Sequence, residues 1–429
     1  MTEKYEIAAF SEYSNEIKNI LINLTNKKSV KSKYIIENIL NGKTSKALND
    51  HVSLQYRKSN GIFFTGTQLS EKVADKIKPL LNNGISVIDP ACGAGNLLLS
   101  CLNHLPKKNT LLETLEYWSN IVYGNDLFNE FINTAKLRFI LHVINCYPDD
   151  KIPFINIDRY FHNLKVQNSL KIKNSNIEDA CVVINPPFGY TKSNQNCNWT
   201  GGKFQIAGLF IEKIINAAYE GQNIVAILPD VLRSGSRYKK WRDFVCKNSK
   251  YLDIETCGKF DNNADVDVFI LHIIKSLSPG EVSFKKNQIS KNTISIHFNI
   301  CVGPVVPHRD PESGPMCKYI HAKNAPANQI INEINEKKRY SGRTFKSPFL
   351  TIHRTSSPSD KQRCKVTVIN VKGIIAVENH LIVLKPKDNS LETCKKFQKI
   401  LSLHNTTKWL NEEIRCRHLT VSSIKNLPV

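Results

Sequence analysis

The sequence predicts an α/β fold, with a mostly parallel sheet that carries helices on both faces and a smaller α+β region after it. Residues 61–275 alternate short apolar runs with helical patterns, which is typical of βαβ units. Two of the runs lead into turns rich in glycine or proline, at residues 89–96 and 185–188. Beyond a turn cluster at 276–280 the pattern changes to strands and loops, so a domain boundary is expected near 290–305.

The individual elements follow in chain order. Residues 1–60 are polar with apolar positions at helical spacing, which predicts a helical N-terminal extension. Apolar runs predict strands at 85–88, 121–123, 181–184, 224–228, 252–255 and 266–274, and helical patterns cover 67–81, 129–142 and 204–220. The predicted domains are therefore 1–60, a central α/β domain at 61–295 and a C-terminal domain at 300–429.

Composition narrows the class of protein. The 429 residues are 41% hydrophobic and 23% charged, which suits a globular protein of about two domains. The sequence has no apolar run long enough to span a bilayer, and its N-terminus lacks the layout of a signal peptide. The twelve cysteines are scattered without metal-site spacing. We therefore expect a cytoplasmic protein with reduced thiols and no metal.

The charge points to a polyanionic partner. The formal net charge is +21, and the residues from Cys301 onward hold 22 Lys and Arg against 10 Asp and Glu. A basic region of this size favours nucleic acid. The alternative is a lysine-rich surface that serves only solubility, because lysine is abundant along the whole chain.

The turn Asn185-Pro186-Pro187-Phe188 is the most informative motif. It follows a buried run at 181–184, and each proline fixes its own φ and restricts the residue before it. The chain therefore leaves the sheet in a stiff turn at the carboxyl edge, where open α/β sheets bind ligands. The turn carries an amide, free carbonyls and an aromatic ring at this place. The alternative is a purely structural Pro-Pro turn.

A glycine turn follows the first predicted strand. Residues 89–96 read Asp-Pro-Ala-Cys-Gly-Ala-Gly-Asn and run into a helix, so the backbone can approach a ligand closely. The spacing is neither that of the dinucleotide-binding fingerprint nor that of a P-loop. The acid Asp89 is a poor neighbour for pyrophosphate and suits a ligand with an ammonium group, such as the methionine half of S-adenosylmethionine.

The second predicted strand ends in Gly124-Asn125-Asp126-Leu127. An acid at this place is positioned to bind the ribose hydroxyls of a nucleoside. The alternative role for Asp126 is to cap the following helix.

The order of these motifs, after Gly61-Ile62-Phe63-Phe64-Thr65, resembles the gamma class of amino DNA methyltransferases, of the kind found as stand-alone enzymes in Type II restriction-modification systems. The resemblance covers about residues 60–275, and it implies a Rossmann-like methyltransferase domain with a seven-stranded sheet and a C-terminal DNA target-recognition domain. It implies S-adenosyl-L-methionine as cofactor and transfer to the N6 of a flipped adenine. Asparagine at position 185 accompanies adenine in this class, whereas Ser or Thr accompanies cytosine.

The resemblance also implies residue roles. The Asn185 side-chain oxygen and the Pro186 carbonyl are expected to accept the adenine amino hydrogens, Pro187 to stiffen the turn and Phe188 to stack on the base. Asn168 stands where the class has an acid that contacts the cofactor adenine. The residues expected to bind the cofactor are Phe64, Thr65, Asp89, Pro90, Ala91, Cys92, Gly93, Gly95, Asn96, Asp126, Leu127 and Asn168.

Duplex DNA is the predicted partner, with a cognate restriction endonuclease as a second possible partner, and the protein is expected to act as a monomer without a fused nuclease. The alternatives are an RNA adenine or protein glutamine methyltransferase, and a DNA-binding subunit without catalytic activity. The residues predicted to contact DNA are Tyr190, Lys203, Phe204, His308, Arg309, Arg354, Arg415 and Arg417, and Arg363 is a further candidate.

Overall fold

A computed structural model describes residues 7–25, 36–148, 155–171, 179–192, 199–261, 264, 266–278, 282–284, 292–415 and 417–429. The chain divides into two compact units, one formed by Met1–Arg233 with Arg237–Phe284 and the other by Ser234–Ser236 with Lys285–Val429. The functional division into 1–60, 61–295 and 300–429 stays a prediction.

The first unit contains nine described strands. They are β1 (Val87–Asp89), β2 (Val122–Asp126), β3 (Leu164–Val166), β4 (Cys181–Ile184), β5 (Tyr190–Lys192), β6 (Lys203–Gln205), β7 (Asn223–Pro229), β8 (Ser249–Lys259) and β9 (Asp267–Lys275). Seven form one sheet in the order β3-β2-β1-β4-β7-β9-β8, while β5 and β6 form a separate antiparallel pair.

The large sheet is parallel except at one edge. Strands β3, β2, β1, β4 and β7 run in the same direction, and β9 runs antiparallel to both β7 and β8. Strand β4 is buried at all four positions, as expected for a parallel strand between two layers of helices. The prediction of a mostly parallel seven-stranded sheet is confirmed.

Helices of the first unit fill the connections. They are α1 (Ser11–Thr25), α2 (Thr44–His51), α3 (Leu54–Asn60), α4 (Thr67–Lys76), α5 (Lys78–Asn82), α6 (Asn96–Leu102), α7 (Leu111–Ile121), α8 (Asn129–Cys146), α9 (Ile206–Ala217), α10 (Asp230–Ser234) and α11 (Lys239–Lys247). None of the described helices is both long and apolar enough to cross a membrane.

Two predicted helices differ from those observed. The helix expected at 67–81 is divided at Ile77, because Pro79 stands in the first turn of α5 and cannot donate the backbone hydrogen bond that would continue α4. The helix expected at 204–220 begins only at Ile206, since Phe204 belongs to β6, where it pairs with Thr191.

The N-terminal helical region packs into the core of the first unit. Phe10 is fully buried, and its ring makes edge-on contacts with Phe131 at 5.2 Å and Phe64 at 6.0 Å between centroids. Ser14 and Thr134 join α1 to α8 through a hydrogen bond of 2.5 Å between their hydroxyl groups. Residues 7–25 therefore help to support the segment that carries Phe64.

The second unit has an α+β architecture. Its strands are β10 (Phe298–Val302), β11 (Met316–Ile320), β12 (Ile330–Ile331), β13 (Lys337–Arg339), β14 (Phe345–Lys346), β15 (Phe349–His353), β16 (Val366–Ile369), β17 (Ile374–Val377) and β18 (Leu381–Pro386). They form sheets in the orders β10-β18-β15-β16-β12 and β13-β11-β17-β14. The helices α12 (Leu391–Leu401), α13 (His404–Glu413) and α14 (Val421–Lys425) contribute apolar residues to a core shared with the larger sheet.

We expect Phe10→Ala to destabilise the first unit by about 3–5 kcal/mol, because it leaves a cavity among aromatic rings. Leu277→Ala is the matched control, since Leu277 is 74% exposed and its loss removes little buried surface. The Tm of each variant, measured by calorimetry, checks the expectation. Equal Tm values for the two variants would show that residues 7–25 do not belong to the folded core.

Candidate active site

The first unit contains a cavity of about 380 Å³ at the carboxyl ends of the parallel strands. Its wall is formed by the segment before α4, the turns after β1, β2 and β4, and the residues after β3. Three of these strands, β2, β1 and β4, are adjacent in the sheet, so the turns that follow them meet at one edge. The cavity therefore joins motifs that are more than 120 residues apart in the chain.

The glycine turn after β1 is closed by carboxylates. The Asp89 side chain accepts a hydrogen bond from the backbone N–H of Ala91 at 2.9 Å. Asp126, at the end of β2, accepts one from Gly93 at 2.9 Å and one from Phe128 at 3.1 Å. Asp126 therefore ties the turn after β1 to the turn after β2, and it also orders the chain that enters α8.

The two glycines of this turn have different tasks. Gly93 has a φ of 51°, and a Cβ there would lie 2.8 Å from the Phe64 ring, so the ring closes over the turn only because the side chain is absent. Gly95 has a φ of 82°, and a Cβ there would meet Phe139 of α8 at 2.7 Å. Gly93 thus shapes the cavity wall, whereas Gly95 permits close packing of helices.

Burial sets the protonation of the two acids. Asp89 is 1% exposed, and this burial, together with the nearby negative charge of Asp126, raises the pKa of Asp89 to about 8. Burial also raises the pKa of Asp126 to about 6, against the lowering effect of its backbone hydrogen bonds. A ligand with positive charge or several hydroxyl donors would compensate both carboxylates.

The catalytic candidate Asn185 is held by its amide nitrogen. The Nδ2 group donates to the Thr65 hydroxyl at 3.0 Å and to the Phe63 carbonyl at 3.3 Å. The Oδ1 atom is buried and has no hydrogen-bond partner within the described part of the chain. Asn185 lines the cavity, so this unused acceptor belongs to a residue of its wall.

The Pro-Pro turn is packed closely from one side. A Cβ at Gly61 would lie 2.7 Å from the backbone nitrogen of Phe188, and Gly61 has a φ of 67°. The Phe188 ring contacts Phe260, in the β8–β9 hairpin, edge-on at 5.0 Å. The turn is therefore held between the end of α3 and the hairpin that follows β8.

Most predicted site residues of the first unit meet at this cavity. Those among its lining residues are Phe64, Thr65, Asp89, Pro90, Ala91, Cys92, Gly93, Asn96, Asp126, Leu127, Asn168, Asn185, Pro187 and Tyr190. Gly95, Pro186 and Phe188 are not among them. Asn168 uses its Oδ1 to accept from the backbone of Leu170 at 3.0 Å, so its oxygen already has a local partner.

The residues predicted to contact DNA in the first unit differ in exposure. Tyr190 is 58% exposed, and Lys203 lies 5.7 Å from the centre of its ring in an exposed cation–π pair. Phe204 is a correction to the prediction, because it is 2% exposed and packs edge-on against Trp199 at 5.0 Å. The neighbouring polar residues at 193–198 lie outside the described residues.

The residues of the second unit that were predicted to contact DNA also differ in exposure. His308, Arg309 and Arg417 are exposed, whereas Arg354 is half-buried and donates to the Asn379 carbonyl at 3.1 Å. Arg415 is half-buried as well. Arg363 is a second correction: it is fully buried, and its guanidinium donates to Asn411 at 3.1 Å and to Ser356, so it holds the core together.

Sequence reasoning missed several residues that shape the site. Phe128 and Phe131 line the cavity behind Phe64, and Gln167 and Ser169 flank Asn168 in its wall. Arg138 is 1% exposed and donates to Asn96 Oδ1 at 2.6 Å, although its position inside a helical run suggested no such task. The sequence signal that could have indicated this task is a charged residue within an otherwise apolar stretch of α8.

The chain is similar to known proteins over much of its length. Residues 47–230 match the model of the N-6 DNA Methylase family. The type I restriction enzyme MpnII methylase subunit of Mycoplasma pneumoniae is 27% identical over 151 residues, which are 34% of this chain and 24% of that protein. The match therefore spans about a quarter of that relative. The modification methylase CviBIII of Paramecium bursaria Chlorella virus NC1A is 21% identical over 397 residues, 87% of this chain and 94% of that protein.

One solved structure extends the likeness in fold. The Type IIL restriction-modification enzyme MmeI in complex with DNA has a TM-score of 0.54 and 12% identity, over 90% of this chain and 70% of that chain. At this identity the likeness concerns the fold alone. The family match over residues 47–230 confirms the resemblance to amino DNA methyltransferases that the motifs predicted.

The raised pKa of Asp89 predicts a specific pH dependence of stability. The folded, ligand-free protein retains a proton on Asp89 up to about pH 8, whereas the unfolded chain loses it near the ordinary value of 3.8. The associated stability is therefore complete below pH 4 and is lost as the pH rises through about 8. Asp89→Asn should raise the Tm of the ligand-free protein at pH 8 by a few degrees and remove this part of the pH dependence.

Scanning calorimetry of wild type and variant between pH 5 and 9 measures the effect. Asp243→Asn is the control, because the Asp243 side chain is 61% exposed and its replacement should leave the Tm nearly unchanged. A difference in Tm between wild type and Asp89→Asn that stays constant with pH would contradict the assignment.

Proposed function

We propose that this chain, whose residues 47–230 match the N-6 DNA Methylase family, is a DNA methyltransferase that transfers a methyl group from S-adenosyl-L-methionine to the N6 of an adenine in duplex DNA. The observation that carries the proposal is the unused Oδ1 of Asn185, which is buried at the wall of a cavity closed by two carboxylates. A buried acceptor without a partner costs about 1–3 kcal/mol, so its retention at this wall favours a ligand that donates to it.

The chemistry of the cavity fits S-adenosylmethionine. Asp89 is a desolvated acid suited to an ammonium group, and Asp126 is an acid with lone pairs suited to ribose hydroxyls. Gly93 leaves room for a close approach to the backbone, and Phe64 and Leu127 provide apolar surface. When bound, the cofactor supplies an electrophilic methyl group.

The chain's own residues would then activate the acceptor. An adenine amino group is a poor nucleophile because its lone pair is conjugated with the ring. Asn185 Oδ1 and the Pro186 carbonyl would each accept one amino hydrogen, and this favours a geometry in which the lone pair leaves the ring plane. No covalent bond to the protein is needed, so the rate depends on positioning and on preorganised dipoles.

The aromatic residue of the turn would hold the target base. An adenine within a duplex must be flipped out before its amino group reaches the cavity. Phe188 would stack on the flipped base, with Phe260 supporting the ring from its edge. A stacking contact of this kind contributes about 1–3 kcal/mol.

We assign DNA recognition to the second unit. From Cys301 onward the chain carries 22 basic against 10 acidic residues, and Arg309 and Arg417 are among the exposed basic residues, a charge balance that favours binding to phosphates. MmeI, to which 90% of this chain is similar in fold, was solved in complex with DNA. We further propose that the protein acts as a monomer on a specific site, and that a cognate endonuclease shares that site.

Methyl transfer to three substrates tests the function. The full chain with labelled S-adenosylmethionine should methylate duplex DNA that contains many sequences, and digestion should yield N6-methyladenine. RNA and a bulk protein extract serve as competing acceptors. Labelling of RNA or protein without labelling of DNA would refute the proposal in favour of those classes, and cofactor binding without any transfer would favour a silent DNA-binding subunit.

We expect Asn185→Ala to lower turnover by about 10²–10³-fold, the loss typical when one preorganised polar group at a reacting centre is removed. Cofactor affinity should change little, because Asp89 and Asp126 remain. Single-turnover methyl transfer and calorimetric titration with S-adenosylmethionine measure the two quantities. Asn120→Ala, at an exposed position on α7, is the control. If Asn185→Ala had the same turnover as Asn120→Ala, the amino-group role would be refuted.

A further inference from the structure

We propose that Arg138 is a positioning residue that fixes the 61–65 segment, and through it the amide of Asn185; the inference rests on the proposed function. Arg138 lies on α8 and is 1% exposed. It is not among the residues that line the cavity, so any effect on the reaction must pass through its neighbours.

The first link joins Arg138 to the glycine turn. Its Nη1 donates to the Ala94 carbonyl and to Asn96 Oδ1, the latter at 2.6 Å, and its Nη2 donates to the Leu40 carbonyl at 3.3 Å. A guanidinium has donors and no acceptor. The Asn96 amide must therefore turn its oxygen toward Arg138 and its nitrogen away from it.

The second link joins Asn96 to the 61–65 segment. The Asn96 Nδ2 donates to the Thr65 carbonyl at 2.7 Å. Thr65 is 3% exposed, so its carbonyl needs this partner, and the contact fixes where the residue stands. Arg138 thus determines indirectly which atom of Asn96 meets Thr65.

The third link reaches the catalytic candidate. The Thr65 hydroxyl accepts from Asn185 Nδ2 at 3.0 Å, and the Phe63 carbonyl accepts from the same group at 3.3 Å. Both acceptors belong to the 61–65 segment. With its nitrogen held there, Asn185 can present only its oxygen to the cavity.

Arg138 stays charged although it is buried, so its position depends on the hydrogen bonds that it donates. Burial lowers the pKa of Arg138 to about 10, so the group remains charged at neutral pH. The hydrogen bonds described for it all go to neutral oxygens of Leu40, Ala94 and Asn96. Burying a charge in this way is costly, and an apolar side chain would fill the same space at a lower cost in stability. The donors of the guanidinium are what an apolar side chain could not replace.

Two variants test the inference. Arg138→Lys keeps the charge but cannot span all three acceptors. Asn96→Asp keeps an acceptor for Arg138 in a favourable ion pair but loses the donor to Thr65. We expect both to remain folded and to lower kcat at saturating cofactor and DNA by at least about tenfold, as a displaced reacting group does. Arg138→Lys should also raise the Kd for S-adenosylmethionine, because the Ala94 carbonyl lies in the glycine turn.

Arg363→Lys is the matched control, because it makes the same change at a fully buried arginine of the second unit whose described hydrogen bonds also go to neutral oxygens. It should lower the Tm as much as Arg138→Lys and leave the Kd for S-adenosylmethionine unchanged. If Arg138→Lys and Asn96→Asp kept the wild-type kcat and lowered only the Tm, the inference would be overturned and the proposed function would stand. Failure of the wild type to bind S-adenosylmethionine or to methylate DNA would overturn the proposed function, and the inference with it.

Discussion

The candidate site depends on how closely the 61–65 segment lies against two turns that are distant in sequence. Gly61 touches the backbone of the Pro-Pro turn, Phe64 covers Gly93, and Thr65 binds both Asn96 and Asn185. A Cβ at Gly61 or at Gly93 would collide with these neighbours. The segment has no regular secondary structure of its own, so its conformation is set by these neighbours and by the aromatic cluster of Phe10 and Phe131 behind it.

This arrangement explains why the site can be both rigid and polar. The sheet brings the ends of β1, β2 and β4 to one edge, but a sheet edge alone does not orient an amide side chain. The Asn185 amide is oriented by the Phe63 carbonyl and the Thr65 hydroxyl, which accept from it. The turns are held by the carboxylate of Asp126, which accepts from two backbone N–H groups. Asn185 thereby uses its amide nitrogen within the wall, and its Oδ1 has no partner among the described residues.

Much of this could be predicted from the sequence, because local patterns determine the strands and the turns that follow them. Short apolar runs precede Asp89, Asp126 and Asn185, and parallel strands place their carboxyl ends together. Strand β3 was missed because only Leu164 of its three residues is buried, so it has no apolar run. The burial of Phe204 and the tasks of Arg138 and Arg363 were missed because they depend on tertiary contacts that no spacing reveals.

The buried state of Asp89 also has a consequence for ligand binding. At neutral pH the ligand-free protein holds a proton on this carboxyl, since its pKa is raised to about 8. A cationic ligand that binds beside it favours the carboxylate, and the proton then leaves to the solvent. Association would be accompanied by proton release, its apparent enthalpy would vary with the ionisation heat of the buffer, and affinity would rise with pH up to about 8. The acid that recognises the ligand would thus also make its capture sensitive to the acidity of the surroundings.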